Sequence, residues 1–183
     1  SNNAALDTRW VQQAMCSDAD QVEIIYSRDG ASFSITVETT PPGNYTDFPS
    51  YNVSEYGHIA ISDEIGYIDA AKFDSRGVSE IMEDLMDTDA IIVDLRRYPS
   101  DFMIFALFGK YFVPGPTDNV IFTSPVYKMP GCYKLRPQKI GTRTNNNYYK
   151  GKVIALVNED TISQAEYTAI TIQALPHGIV VGS

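Results

Sequence analysis

The serine of Val153-Ile154-Ala155-Leu156-Val157-Asn158-Glu159-Asp160-Thr161-Ile162-Ser163-Gln164-Ala165-Glu166 is placed where it could do nucleophilic chemistry. A β-branched apolar run ends, a short polar turn follows, and a helix starts at Ser163. In α/β folds, ligands collect where a strand feeds a helix N-terminus. The unpaired amides there stabilise a developing negative charge. The same tetrad has a plainer reading. Ser163-x-x-Glu166 before an apolar helix is a capping box, in which each side chain bonds the other residue's amide. A serine hydroxyl also needs a general base, and the tetrad supplies none.

A second candidate is Ile91-Ile92-Val93-Asp94-Leu95-Arg96-Arg97-Tyr98-Pro99. A buried strand ends in Asp94-Leu95-Arg96 and turns at Pro99. Asp94 and Arg96 could equally form a structural ion pair at the strand end. The two histidines, His58 and His177, fall at a strand start and in a turn, and both read as surface or structural residues. Cys16 and Cys132 sit in no C-x-x-C pattern and near no histidine, so no metal or redox motif is visible. They could pair as a disulfide, but the sequence does not fix that pairing.

These segments need elements to position them. From His58 onward the chain alternates strands and helices. Ile59–Ser62 and Ile65–Ala70 read as strands. Val78, Ile81, Met82, Leu85 and Met86 follow the i, i+3, i+4 spacing of an amphipathic helix. Ala90–Leu95 and Lys152–Asn158 are buried strands. Phe102–Phe112 and Ala165–Leu175 read as apolar helices, and Ile179–Val181 as a last strand. Val120–Tyr149 holds strand-like pieces interrupted by Pro125, Pro130, Pro137 and an Asn145-Asn146-Asn147 turn. This order predicts an α/β fold with parallel pairing.

Upstream, Asp7–Met15 has helical composition. Val22–Ser27 and Ser32–Glu38 read as strands joined by Arg28-Asp29-Gly30, a strong hairpin signal. Thr39–Tyr56 is rich in Pro, Gly, Asn, Ser and Tyr and reads as a linker. Asn44-Tyr45-Thr46 and Asn52-Val53-Ser54 match the glycosylation tripeptide, which also arises by chance in polar loops.

Composition bounds the partners. Of 183 residues, 44% are apolar, enough for a buried core. Fourteen basic residues against 23 acidic ones give a net charge of −9. That balance disfavours nucleic acid or an anionic membrane, since both select a basic face. No apolar run approaches the ~20 residues of a membrane helix. Ser1-Asn2-Asn3-Ala4 is polar and does not read as a signal peptide, which a longer precursor could have carried and lost.

Asp94-Leu95-Arg96-Arg97-Tyr98-Pro99 resembles the Asp-Leu-Arg-x-Asn-Pro-Gly-Gly turn of the C-terminal-processing, or tail-specific, serine peptidases and their tricorn-like relatives. Lys150-Gly151-Lys152-Val153 through Glu166 is similar to the strand–turn–helix that carries that family's nucleophile. The order also fits, from Gly66-Tyr67-Ile68 to Val180-Val181-Gly182. Tyr148-Tyr149-Lys150-Gly151 and Ser163-Gln164-Ala165-Glu166-Tyr167 look most like the Bacteroidetes-type branch. The resemblance covers about residues 59–183, and more weakly 5–38.

The resemblance implies a crotonase-like α/β core at 58–183, incomplete at its C-terminal end, a linker at 41–57, and the last part of a PDZ domain at 1–40. It implies endopeptidase activity on a polypeptide substrate and a periplasmic, cell-surface or secreted location, with no metal or cofactor. Ser163 takes the nucleophile position, and the Gln164 amide is an oxyanion donor. Ser100 and Asp101 stand where the family's turn has two glycines, and Tyr98 stands in place of the asparagine. A turn that needed positive φ would be strained there. The family's base is either a lysine falling beyond Ser183 or a histidine falling before Ser1, so the chain is expected to be a fragment with little activity alone. Two alternatives share the fold: a peptide- or ligand-binding member without catalysis, and an enzyme acting on acyl thioesters. The second would need a glycine-rich or apolar oxyanion loop and a pantetheine channel, and the sequence suggests neither.

Overall fold

The computed structural model describes residues 19–38 and 51–182. The chain divides into two compact units, residues 1–50 and 51–183. In the first, β1 (Gln21–Arg28) and β2 (Ala31–Glu38) pair antiparallel, with Gln21 opposite Glu38 and Arg28 opposite Ala31. Asp29 and Gly30 join them at φ +52° and +80°. Two positive φ values define a type I′ turn, whose twist matches that of paired strands. Tyr26 and Phe33 stack across the ladder with ring centres 5.5 Å apart. The helix expected over Asp7–Met15 and the Cys16 end of the disulfide considered above lie outside the described residues. Cys132 is exposed.

The second unit is built on a five-stranded sheet in the order β3-β4-β5-β8-β9. These strands are His58–Ala60, Ile65–Asp69, Ala90–Asp94, Lys152–Val157 and Gly178–Gly182. The pairs β4–β5, β5–β8 and β8–β9 are parallel, and β3 joins the edge antiparallel. The Ile/Val runs expected to be buried strands are those at the centre: Ile91, Val93, Val153 and Ala155 are each at most 2% exposed. Three helices accompany the sheet: α1 (Val78–Leu85), α2 (Ile104–Tyr111) and α3 (Gln164–Gln173). Ile81, Met82 and Leu85 of α1, Ile104, Leu107 and Phe108 of α2, and Ala165 and Ile172 of α3 join one buried cluster with Ile91, Val93 and Val153. Burial of that apolar area drives this unit together.

Residues 117–140 form a hairpin of β6 (Thr117–Pro125) and β7 (Tyr133–Ile140), with a register shift between Asp118 and Ile121. Pro125 ends β6, Pro130 falls in the connecting turn and Pro137 lies inside β7, in a two-stranded ribbon where a missing N–H is tolerated. The strand-like pieces expected from Val120 onward are thus a ribbon, which begins three residues earlier, at Thr117.

Parallel pairing sets Asp94 beside Leu156, and the Leu95 amide donates to the Leu156 carbonyl at 2.9 Å. The two chemically interesting segments thus leave the sheet side by side, at the carboxyl ends of adjacent strands.

Candidate active site

After β8 the chain braces its own turn. The Asn158 N–H donates to Thr161 Oγ1 at 3.0 Å, and the Asp160 N–H donates to Asn158 Oδ1 at 3.1 Å. Thr161 Oγ1 in turn donates to the Leu95 carbonyl at 3.0 Å, tying this turn to the one after β5. Ser163 follows in an unusual backbone conformation, φ +54° and ψ −112°. Among described residues other than glycine, only Asp29 in the hairpin turn shares a positive φ. An ordinary N-cap residue lies in the β region. A side chain held at positive φ stores roughly 1–3 kcal/mol of strain, and such residues cluster at functional sites.

Ser163 is exposed, while the next residue, Gln164, is buried. The capping box is made, and its well-formed arm runs from the Ser163 N–H to Glu166 Oε2 at 2.8 Å. The Ala165 amide is satisfied by Ile162 O at 3.0 Å. Among the described residues the Gln164 N–H has no acceptor, as expected for a first-turn amide. The Gln164 side chain reaches across to the other segment, where Nε2 donates to the Phe102 carbonyl at 3.2 Å.

Asp94 is buried at the end of β5 and collects four donors. Tyr67 O–H bonds Oδ2 at 2.8 Å; Arg96 contributes Nη2 at 2.7 Å, Nε at 2.9 Å and its backbone N–H at 3.1 Å. Burial pushes the Asp94 carboxyl up, but the Arg96 and Tyr67 hydrogen bonds outweigh it and hold the group below the usual carboxylate range. Burial and the neighbouring carboxylate raise the Tyr67 phenol far above its ordinary value. Arg97 pairs separately with buried Asp69. The plain reading of Asp94 and Arg96 as a strand-end ion pair describes their geometry.

Beyond Pro99 the turn takes no positive φ, so serine and aspartate fit it without the strain that glycine would relieve. The Ser100 N–H is spent on the Ala70 carbonyl at 2.9 Å, and its hydroxyl donates to Phe73 O at 2.6 Å. Asp101 accepts the Ser75 N–H at 2.9 Å and the Met103 N–H at 2.8 Å. Partial burial raises its carboxyl, yet those bonds hold it below the ordinary range. Its charge is thereby engaged with two amides. The Asp101 N–H itself has no acceptor among the described residues.

His58 is buried and bonds Ser54 and Asp84, and His177 is exposed; among the described residues neither side chain is hydrogen-bonded to Ser163. Phe102 and Thr161 tie the two turns together, and sequence reasoning gave neither a role. Each acts through a contact spanning dozens of residues, so no local pattern announces it. No cluster able to hold a metal occurs among the described residues.

A parallel α/β sheet whose carboxyl edge presents an exposed serine, forced to positive φ between a strand and a helix, is the kind of scaffold that nucleophilic hydrolases use. The chain belongs to Peptidase family S41, whose sequence profile matches residues 64–183. That is the family of C-terminal-processing peptidases that the two turns resemble. A candidate peptidase from Parabacteroides merdae superposes with a TM-score of 0.53 at 12% identity, over 72% of this chain and 43% of that one. The photosystem II D1 C-terminal processing protease gives 0.46 at 17% identity, over 88% and 43%. A lipoprotein from Streptococcus agalactiae gives 0.42 at 19%, over 68% and 47%. The chain thus spans less than half the length of each. A search of curated proteins returns no match.

Proposed function

We propose that the protein is a serine endopeptidase in which Ser163 is the nucleophile. Ser163 Oγ attacks the scissile carbonyl while a base takes its proton. The oxyanion accepts from the Gln164 N–H, and the Asp101 N–H is the second donor. The tetrahedral intermediate collapses to an acyl-serine, and the proton goes to the departing amine. Water then hydrolyses the ester and regenerates Ser163. The base is proposed to come from outside the described residues, since no described histidine or lysine bonds Ser163. An N-terminal PDZ-like part, a crotonase-like core at 58–183 and an extracytoplasmic location belong to the same proposal and rest on the family resemblance. Among the described residues, no helix is long and apolar enough to cross a membrane.

The observation that carries this reading is the backbone of Ser163, at φ +54° and ψ −112°. A helix cap alone does not require that conformation, whereas a serine aimed out of a strand–turn–helix does. The test is a fluorophosphonate probe on the full-length protein, beside Ser163→Ala. Labelling at residue 163 and cleavage of an unfolded protein, both lost in the variant, are expected. An unlabelled Ser163 together with no cleavage would return the chain to a binding role on the same fold.

A further inference from the structure

Four aromatic rings run in a row beside the start of α3. Phe102 meets Phe105 with ring centres 5.4 Å apart, and Phe105 meets Tyr167 at 5.7 Å, both edge to face. Phe122 of β6 stacks over Tyr167 at 6.0 Å and 19°. Phe102 is 67% exposed and Phe122 49% exposed. Between α2, α3 and β7 opens a cavity of about 420 Å³, with Phe105, Tyr167 and Ile140 among its walls. We propose that this row and cavity form the subsite for a large apolar side chain of the polypeptide substrate, within two residues of the bond at Ser163. The assignment rests on the reading of Ser163 as nucleophile and adds the substrate class.

Position ties the row to Ser163. Tyr167 follows Ser163 by four residues, and its amide bonds the Ser163 carbonyl at 2.9 Å, so both lie on one stripe of the helix. At ~1.5 Å rise per residue, the two are about 6 Å apart along the axis. An extended peptide advances ~3.3 Å per residue, which places the Tyr167 ring one or two residues from the reacting carbonyl. At the other end, Phe102 is held to the site by Gln164.

Chemistry selects an apolar occupant. Aromatic walls gain by excluding water from another apolar group, and ring pairs add to that. The two cations at the rim are already engaged. Lys139 Nζ lies 3.0 Å from Asp118 Oδ1, and Lys110 Nζ lies 4.5 Å from the Tyr111 ring centre. Asn119 Nδ2 approaches the Tyr167 hydroxyl at 3.4 Å and Thr171 Oγ1 at 3.1 Å, fixing the ring's outer edge. Phe122 covers one face of that ring and Phe105 meets it edge to face, so the substrate side chain packs along the row and into the cavity beside it.

The test reads binding, so it does not depend on turnover. Full-length Ser163→Ala protein is titrated with fluorescent ten-residue peptides of alanine and serine carrying one Phe, one Leu, one Glu or none. Phe and Leu peptides are expected to bind at least ten-fold tighter than the others. Phe105→Ala and Tyr167→Ala should shrink that ratio below two-fold, while Tyr167→Phe keeps it. Phe105→Leu and Tyr167→Leu, followed by circular dichroism and melting, separate loss of the rings from loss of folding. Equal affinities, no binding, or a preference that survives both ring deletions would overturn the assignment. A Phe preference in a protein whose Ser163 never labels would keep the subsite and reject the nucleophile.

Discussion

Gln164 and Phe102, 62 residues apart in sequence, are joined by a single hydrogen bond from Nε2 to the carbonyl oxygen at 3.2 Å. With the Thr161–Leu95 bond it holds the turn after β5 against the start of α3. If both segments serve one reaction, this clamp sets their spacing. Gln164→Leu keeps the apolar stem and removes the donor. We expect a stability loss of about 1 kcal/mol and a fall in kcat/KM of roughly 10–100-fold, since small displacements at a reacting centre are expensive. Urea unfolding and the rate of fluorophosphonate labelling, taken together, check the split. Equal, small effects on both would mean that the bond is merely structural.

The backbone of Ser163 makes a prediction in the opposite direction. At φ +54° a Cβ is crowded and glycine is not. Both Ser163→Ala and Ser163→Gly should abolish labelling. The glycine variant should nevertheless be the more stable of the two by about 1 kcal/mol, part of the strain being offset by its larger unfolded-state entropy. Paired denaturant titrations decide it, and an alanine variant as stable as the glycine one would remove the strain argument.

Much of the scaffold was legible because its signals are local. The alternation of Phe33, Ile35 and Val37 marks β2, the Asp29-Gly30 pair marks its turn, and the Ile91-Ile92-Val93 run marks a central parallel strand. The β6–β7 ribbon was harder, since Pro125 and Pro137 weaken any strand pattern read in isolation. At the site, Ser163-x-x-Glu166 announced a cap, and a cap is present. Its positive φ was not legible, because a capping tetrad does not encode it, and the bonds that brace the preceding Asn158–Thr161 turn reach as far as Leu95. The commitment of the Ser100 amide to Ala70 O is likewise tertiary. From sequence alone, residues 100 and 101 could be placed only by their resemblance to a glycine turn.

Asp94 gives a pH dependence whose sign is fixed by its environment. Its folded pKa is depressed, so its contribution is fully present above the unfolded value near 3.8 and is lost as pH falls through the lower folded value. Stability should therefore decline below about pH 4. In Asp94→Asn that part of the slope should vanish. The variant should also cost about 2 kcal/mol at neutral pH, less than the ~3–5 of a fully buried broken pair, because Arg96 can turn toward solvent. Thermal melts from pH 3 to 7 on both proteins measure this, and an unchanged slope in the variant would assign the acid sensitivity elsewhere.

Ser54, His58 and Asp84 form a row that imitates a catalytic relay. Ser54 Oγ lies 2.7 Å from His58 Nδ1, and His58 Nε2 lies 2.9 Å from Asp84 Oδ2. A carboxylate needs a donor, so Nε2 carries a proton toward Asp84. Yet Ser54 Oγ also faces the amides of Tyr56 at 3.2 Å and His58 at 3.4 Å. Those contacts close a turn that contains Gly57 at φ +81°, where an added Cβ would come within 2.6 Å of the Lys72 backbone. The row therefore holds the entry to β3 against α1, with its backbone pinned on both sides. Ser54→Ala is expected to cost about 1 kcal/mol and His58→Ala about 2 kcal/mol of stability. Neither should change which serine the fluorophosphonate modifies. Mass spectrometry of the labelled peptide decides between the two serines. Modification at residue 163 keeps the nucleophile on the strained turn, whereas modification at residue 54, lost in His58→Ala, would move it to this row.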